Sequence, residues 1–268
     1  MRYVLILLTI IYLLAILGPM VAIVLQIQPD SLKDAHRYDT IVQALTLTLK
    51  TSLVVTFAAL ILGLPIALCM ARVEFRGRAL LDMLVDVPIA LPPVVTGFGL
   101  MLLWGRRGLL GHYFDAWGYH IPFTTLACMI SQFVVASPYF VRIAQSGLSA
   151  VPKDLEDVAR SLGASPLRVW LTVTLPMAST AILAGLVTCW ARAIGEFGAT
   201  VIFAGNFPGR TQTMPLAVFL TLQYDIPGAV LLATVMIVFA LVGFAVAQML
   251  LRRFNRPHMQ ITAGERAI

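Results

Sequence analysis

Charge is scarce in this chain. Of its 268 residues only 12% are Asp, Glu, Lys or Arg, where a water-soluble domain carries roughly a quarter, so most of its surface is excluded from bulk water. Cysteine is scarcer still. Cys69, Cys128 and Cys189 lie in apolar stretches, are odd in number and share no ligand-like spacing, which leaves them as small hydrophobic side chains rather than a disulfide framework or a metal site. The four histidines, His36, His112, His120 and His258, form no His-x-x-x-His or Glu-x-x-His pairing, so no catalytic metal is expected. There is no Gly-x-x-x-x-Gly-Lys-Ser/Thr run, so a phosphate-binding loop of that kind is not expected in this chain. Repeats of about 20–50 residues and low-complexity tracts are also missing. The formal charge of +6 is spread over short loops, with no dense basic run or aromatic-interleaved stripe, which argues against a nucleic-acid partner.

Apolar residues are what the chain has, at 59% with a mean hydropathy of +0.89. A helix needs about 20 such residues to cross a bilayer. Windows of that length fall near 3–27, 42–71, 80–104, 122–143, 177–204 and 227–251. They predict an all-α membrane protein with six transmembrane helices in a single domain over 1–268, surrounded by membrane lipid. The apolar run from Tyr3 to about Ile27 is longer than a signal-peptide core and has no small-x-small cleavage site, so it is expected to remain as the first helix. Alternate loops place Arg2, Arg72, Arg76, Arg78, Arg142, Lys153, Arg160, Arg168, Arg252, Arg253, Arg256 and Arg266 on one side, against Lys33, Arg37, Arg106, Arg107 and Arg210 on the other. The positive-inside rule makes the first side cytoplasmic and puts both termini there.

The cytoplasmic loop 144–176 is the one sizeable soluble stretch. Within it, residues 151–163 read as a short helix started by Asp154 or the Lys153-Asp154 pair, acidic in its first turn and ended by Gly163. Leu155, Val158, Ala159 and Leu162 recur at helical spacing, a face suited to a partner's groove. Pro166 starts a second helical segment that returns toward the membrane at Leu175-Pro176.

Asp157-Val158-Ala159, three residues, Gly163, nine residues, then Val173-Thr174-Leu175-Pro176 resembles the EAA loop of bacterial ABC-importer permeases, with Asp157 in place of the usual Glu and Val158 in place of the first Ala. Trp190 to Thr200, Phe203-Ala204-Gly205-Asn206 and Gly209 to Leu216 resemble the fifth helix and following loop of molybdate permeases, and sulfate permeases have a related pattern. Leu64-Pro65 with Ala71-Arg72, and Asp86-Val87-Pro88 with Leu91 to Gly97, extend the likeness over nearly the whole chain.

The resemblance implies the type I ABC-importer permease fold in a bacterial inner membrane, and import of molybdate or tungstate by alternating access. Its implied partners are a second copy of the chain, a cytoplasmic ATPase dimer that uses ATP and Mg, and an extracytoplasmic oxyanion-binding protein. This chain itself would bind no cofactor and catalyse nothing. Glu156, Asp157, Val158, Ala159, Gly163, Leu175 and Pro176 would couple the ATPase to the spans. A sulfate or thiosulfate permease is the alternative within the group. An ion-coupled secondary transporter would be expected to show inverted repeats and midplane carboxylates.

Charged residues within spans are costly and need partners. Arg192 and Glu196 lie four apart in the fifth window, as a pair beside the translocation path or as a structural pair holding the bundle. Pro88, Pro92 and Pro93 break the third window next to Thr96 and Gly97, a gate element or a packing kink; Gly198 joins these path candidates. Asn206, Arg210, Thr211 and Gln212 are expected in an exposed loop. The chain runs about seventeen residues beyond its last span, too few for an anion-binding regulatory domain, so no feedback of that kind is expected.

Overall fold

The computed structural model describes residues 1–28 and 35–264. Lys33 and Arg266, and the side chains of His36, Arg37, Arg253, Arg256 and His258, lie outside the described residues. The chain is helical: α1 Arg2–Leu25, α2 Ala35–Arg72, α3 Arg78–Ala90, α4 Pro93–Trp104, α5 Gly111–Ala116, α6 Thr125–Ser149, α7 Lys153–Ser161, α8 Pro166–Val169, a widened turn Trp170–Thr174, α9 Leu175–Ile194, α10 Gly198–Phe203, α11 Met214–Thr221 and α12 Ile226–Gly264. Among the described residues five helices are long and apolar enough to cross a membrane, six when α3 and α4 count as one broken span. Large apolar side chains are exposed along α1, α2, α4 and α12, as expected where lipid rather than water is the solvent.

The third window is therefore two helices, bent by 111°. Steric clash drives a residue that precedes proline toward extended backbone, and two such residues follow one another. Leu91 sits at φ −75°, ψ 139° before Pro92, and Pro92 at φ −56°, ψ 132° before Pro93. Pro93 then opens α4, where its missing N–H is not needed.

The fifth window differs from its expected 177–204 span. Helical structure begins earlier, at Pro166, and α9 ends at Ile194. Gly195 to Phe197 interrupt it before α10. The soluble loop is correspondingly shorter than 144–176, because α6 runs to Ser149.

Two compact units divide the chain, residues 1–48 with 206–242 and residues 49–205 with 243–268. In the larger unit α2, α6 and α9 meet on Phe140, which is fully buried. A side chain added at Gly63 would come within 2.9 Å of one edge of its ring, and one at Gly185 within 3.1 Å of the other. Gly147 of α6 lies directly over Ala181 of α9. Such small residues let helix backbones approach where lipid leaves little hydrophobic drive between helices.

In the smaller unit Ala44, Met214, Ala217 and Leu232 form the core, and the Thr48 hydroxyl accepts from the Met214 N–H at 2.8 Å. Here the expectation of an exposed loop fails in part. Arg210 is exposed, but Thr211, Gln212 and Thr213 are buried. The Phe207 carbonyl accepts from the N–H groups of Arg210, Thr211 and Gln212, and the Thr211 hydroxyl accepts from the Phe207 N–H at 3.0 Å, so the loop folds on itself.

Arg142 also departs from its assignment to a loop. It lies within α6 and reaches α3, donating to Asp82 Oδ1 at 2.6 Å, to the Asp82 carbonyl at 2.6 Å and to both oxygens of Asp86 at 2.6 and 2.7 Å. Gln145 accepts from it at 2.7 Å. Two carboxylates and a forked guanidinium make the charge tolerable where it stands.

Substituting Gly147 by Ala is expected to cost about 1–3 kcal/mol through overpacking against α9, read as a lower melting temperature of the purified chain in detergent. Adding Ala181→Gly should recover most of the loss. An unchanged midpoint in the single variant would mean that α6 and α9 do not make this contact.

Candidate coupling and gate sites

The first site is built on α7. Proline again sets its start, since Pro152 at ψ 129° caps the helix without a side-chain bond and Lys153 follows as the first helical residue. Asp154, expected to cap it, lies instead in the first turn with Glu156, where both carboxylates face the positive end of the peptide dipoles. The helix ends in a paired reversal: the Gly163 N–H reaches the Arg160 carbonyl at 2.9 Å and the Ala164 N–H the Ala159 carbonyl at 3.1 Å. That closure needs left-handed backbone at residue 163, and Gly163 supplies it at φ +87°.

Ser165 then caps α8 and Pro166 opens it. Pro176 has no N–H to give the Thr172 carbonyl, and its ring would crowd that carbonyl in a regular helix. The turn before it, Trp170–Thr174, widens to i→i+5 bonding. Leu175 and Pro176 thus shape the entry to α9.

Glu156 is the buried residue of α7. One carboxylate oxygen accepts from Arg72 Nη2 at 2.8 Å and from the Thr174 hydroxyl at 2.8 Å; the other meets Arg160 Nη2 at 3.3 Å. Asp157, exposed, pairs with Arg160 Nη1 at 2.7 Å. The opposite side of the helix is apolar and open: Leu155, Val158 and Leu162 are exposed while Ala159 is half-buried. Arg72 and Thr174 were missed as site residues. Arg72 counted as a loop charge and, in Ala71-Arg72, as part of the family likeness, but no spacing rule links residue 72 to residue 156.

A second site lies where both broken spans meet in the larger unit. A side chain on Gly97 of α4 would come within 2.7 Å of the Ala199 Cα and carbonyl oxygen, and one on Gly198 of α10 within 3.0 Å of Pro93 and 3.2 Å of the Val94 nitrogen. Pro93, Gly97 and Gly198 are thus brought together; Pro92 caps α4 at its exposed end. Ser131 of α6 donates to the Ala199 carbonyl at 3.4 Å. The covered oxygens of Thr96 and Thr200 and both amide atoms of Gln132 on α6 have no hydrogen-bond partner among the described residues.

Arg192 and Glu196 do not share a continuous helix, because α9 stops between them. They pair all the same, at 2.6 Å, and the other Glu196 oxygen accepts from the Ala199 N–H at 2.8 Å. Glu196, 1% exposed, therefore brackets the break, tying the end of α9 to the start of α10. Among the described residues no group of three His, Cys, Asp or Glu could hold a metal ion.

The described residues thus form helices long and apolar enough to span a membrane, one span broken, with one short helix whose apolar face is open. The chain belongs to the family described as binding-protein-dependent transport system inner membrane component, whose model matches residues 59–256. It is 41% identical over 197 residues to a molybdenum transport system permease protein, ModB, of Mycobacterium tuberculosis, covering 74% of this chain and 75% of that protein. To a probable sulfate transport system permease protein, cysT, of Nephroselmis olivacea it is 36% identical over 199 residues, covering 74% and 70%. A bacterial ABC transporter involved in the import of the acidic polysaccharide alginate contains a chain that superposes with a TM-score of 0.72 at 16% identity, covering 94% of this chain and 95% of that one. The shared architecture is that of a type I ABC-importer permease.

Left-handed backbone at residue 163 makes a specific demand. Gly163→Val should cost about 1–2 kcal/mol at that turn and speed hydrogen exchange of the last α7 amides. Gly163→Asn, which tolerates the conformation, should exchange much as the unaltered chain does. Equal exchange in the two variants would remove Gly163 as the helix stop.

Proposed function

We propose that this chain is the membrane-spanning subunit of an ATP-driven importer of molybdate or tungstate, with both termini in the cytoplasm. Two copies enclose the path, a separate ATPase dimer uses ATP and Mg on the cytoplasmic side, and an extracytoplasmic oxyanion-binding protein delivers the anion. The observation that carries this reading is α7: a nine-residue helix fixed on one side by buried Glu156 and offering Leu155, Val158 and Leu162 on the other. An apolar face of that size, open on a helix outside the spans, suits a groove on a partner protein. The likeness of 157–163 and 173–176 to the EAA loop makes that partner the ATPase.

The gate is the junction of α4 and α10. Close glycine contacts make the two short helices move together, and the polar side chains of Thr96, Thr200 and Gln132 are covered beside them. The anion itself is read from relatives, among which the molybdenum permease supports molybdate and the cysT protein keeps sulfate as the alternative.

The deciding experiment is uptake of labelled molybdate into vesicles holding the chain with its ATPase and binding protein. ATP-dependent uptake, blocked by tungstate and spared by sulfate, is expected. Block by sulfate would make the chain a sulfate permease, and uptake driven by an ion gradient with no ATPase would refute the proposal. In the same vesicles Gly97→Ala, which pushes α4 from the α10 backbone, should reduce uptake while leaving ATPase binding intact.

A further inference from the structure

If α7 receives the movement of an ATPase, that movement has to leave α7 through whatever holds it to the spans. Within α7 the buried residue is Glu156 alone. Its partner Arg72 is the last residue of α2, a helix of 38 residues, and its side chain is 13% exposed. The same Nη2 atom of Arg72 that meets Glu156 at 2.8 Å also donates to the Val151 carbonyl at 2.9 Å. One guanidinium corner therefore grips α7 by its buried carboxylate and by the peptide that leads into it. Thr174, on the same Glu156 oxygen at 2.8 Å, adds the entry to α9.

We infer that Arg72 is a positioning residue for transport: it carries displacement of α7 into α2, while Thr174 carries it into α9. The inference rests on the reading of α7 as the ATPase-docking helix. In this role Arg72 acts through Glu156 and Val151. Its charge is matched by a buried carboxylate, so the link is stiff, and its position on the inner side of α7 leaves Leu155, Val158 and Leu162 free for a partner. Docking and transmission thus use opposite sides of one helix, and they should be separable by mutation. Lysine cannot replace Arg72 fully, because its single shorter-reaching ammonium does not reproduce the planar fork.

The test uses the complete complex of this chain, ATPase and binding protein in proteoliposomes, measuring ATPase co-purification, ATP hydrolysis and anion uptake per ATP. With Arg72→Gln, co-purification and hydrolysis should persist while uptake per ATP falls about tenfold, within the range by which residues along a coupling route act. Arg72→Lys and Thr174→Val should fall between this variant and the unaltered chain. Thr174→Val leaves the ion pair in place, so it reads transmission even if Arg72→Gln fails to fold. Unaltered uptake per ATP in Arg72→Gln, or in Thr174→Val where Arg72→Gln does not fold, would overturn the inference. So would a loss confined to assembly, with the complexes that form fully coupled, since Arg72 would then be structural only. An unaltered complex that takes up no anion with ATP would instead sink the importer reading itself.

Discussion

A polar group surrounded by lipid has no water to fall back on, so it must find its partner within the protein. The positions of the charges in this chain follow from that constraint. Arg142 is closed by Asp82, Asp86 and Gln145, and Arg192 is closed by Glu196. Hydroxyls within the helices turn back on their own backbone: Thr48 to Ala44, Thr56 to Ser52, Thr188 to Ala184 and Thr234 to Val230. The two charge closures also fix one helix relative to another. The guanidinium that is made tolerable in α6 is therefore the same one that holds α3, and the carboxylate that is made tolerable at residue 196 bridges a broken span.

With the charges closed, shape decides the rest. Between helices in lipid the gain from burying apolar area is small, and contact depends on how near the backbones can come. Gly63 and Gly185 leave room for the Phe140 ring, Gly147 leaves room for Ala181, and Gly243 lies under the Trp190 ring. At the α4–α10 junction Gly97 lies against the Ala199 backbone, and Gly198 against the Pro93 ring and the Val94 nitrogen. The helices are joined at two interruptions of the helical hydrogen bonding, Leu91–Pro92 and Gly195–Phe197, and both flank this junction.

Much of this was legible in the sequence because hydropathy, proline and glycine act locally. The number of spans, the break at Pro92-Pro93 and the stop at Gly163 depend on a few neighbouring residues and on backbone sterics. What was not legible depends on distance. Arg72 and Glu156 are far apart in the chain, and nothing in either segment names the other. Arg142 was counted with the loop charges because it stood at the end of a window drawn to 143, yet α6 continues to Ser149 and its carboxylate partners come from another helix. The fifth span was drawn through Glu196 because the Gly195 to Phe197 interruption contains no proline. Thr211 to Thr213 looked exposed because they are polar; they are buried because the loop satisfies its own backbone through Phe207 and Thr211.

The distribution of charge also bears on how an importer of this design treats an anion. A dense oxyanion held by unpaired arginines midway across a membrane would be bound tightly and released slowly, whereas conduction requires binding that is weak enough to leave. Here Arg142 and Arg192, each several residues inside its span, are both committed to carboxylates of the same chain. Neither is free to form a cationic cage. Discrimination between molybdate and sulfate is then expected before the anion enters, in the protein that delivers it. This also accounts for how two relatives named for different anions can both align over some three-quarters of this chain.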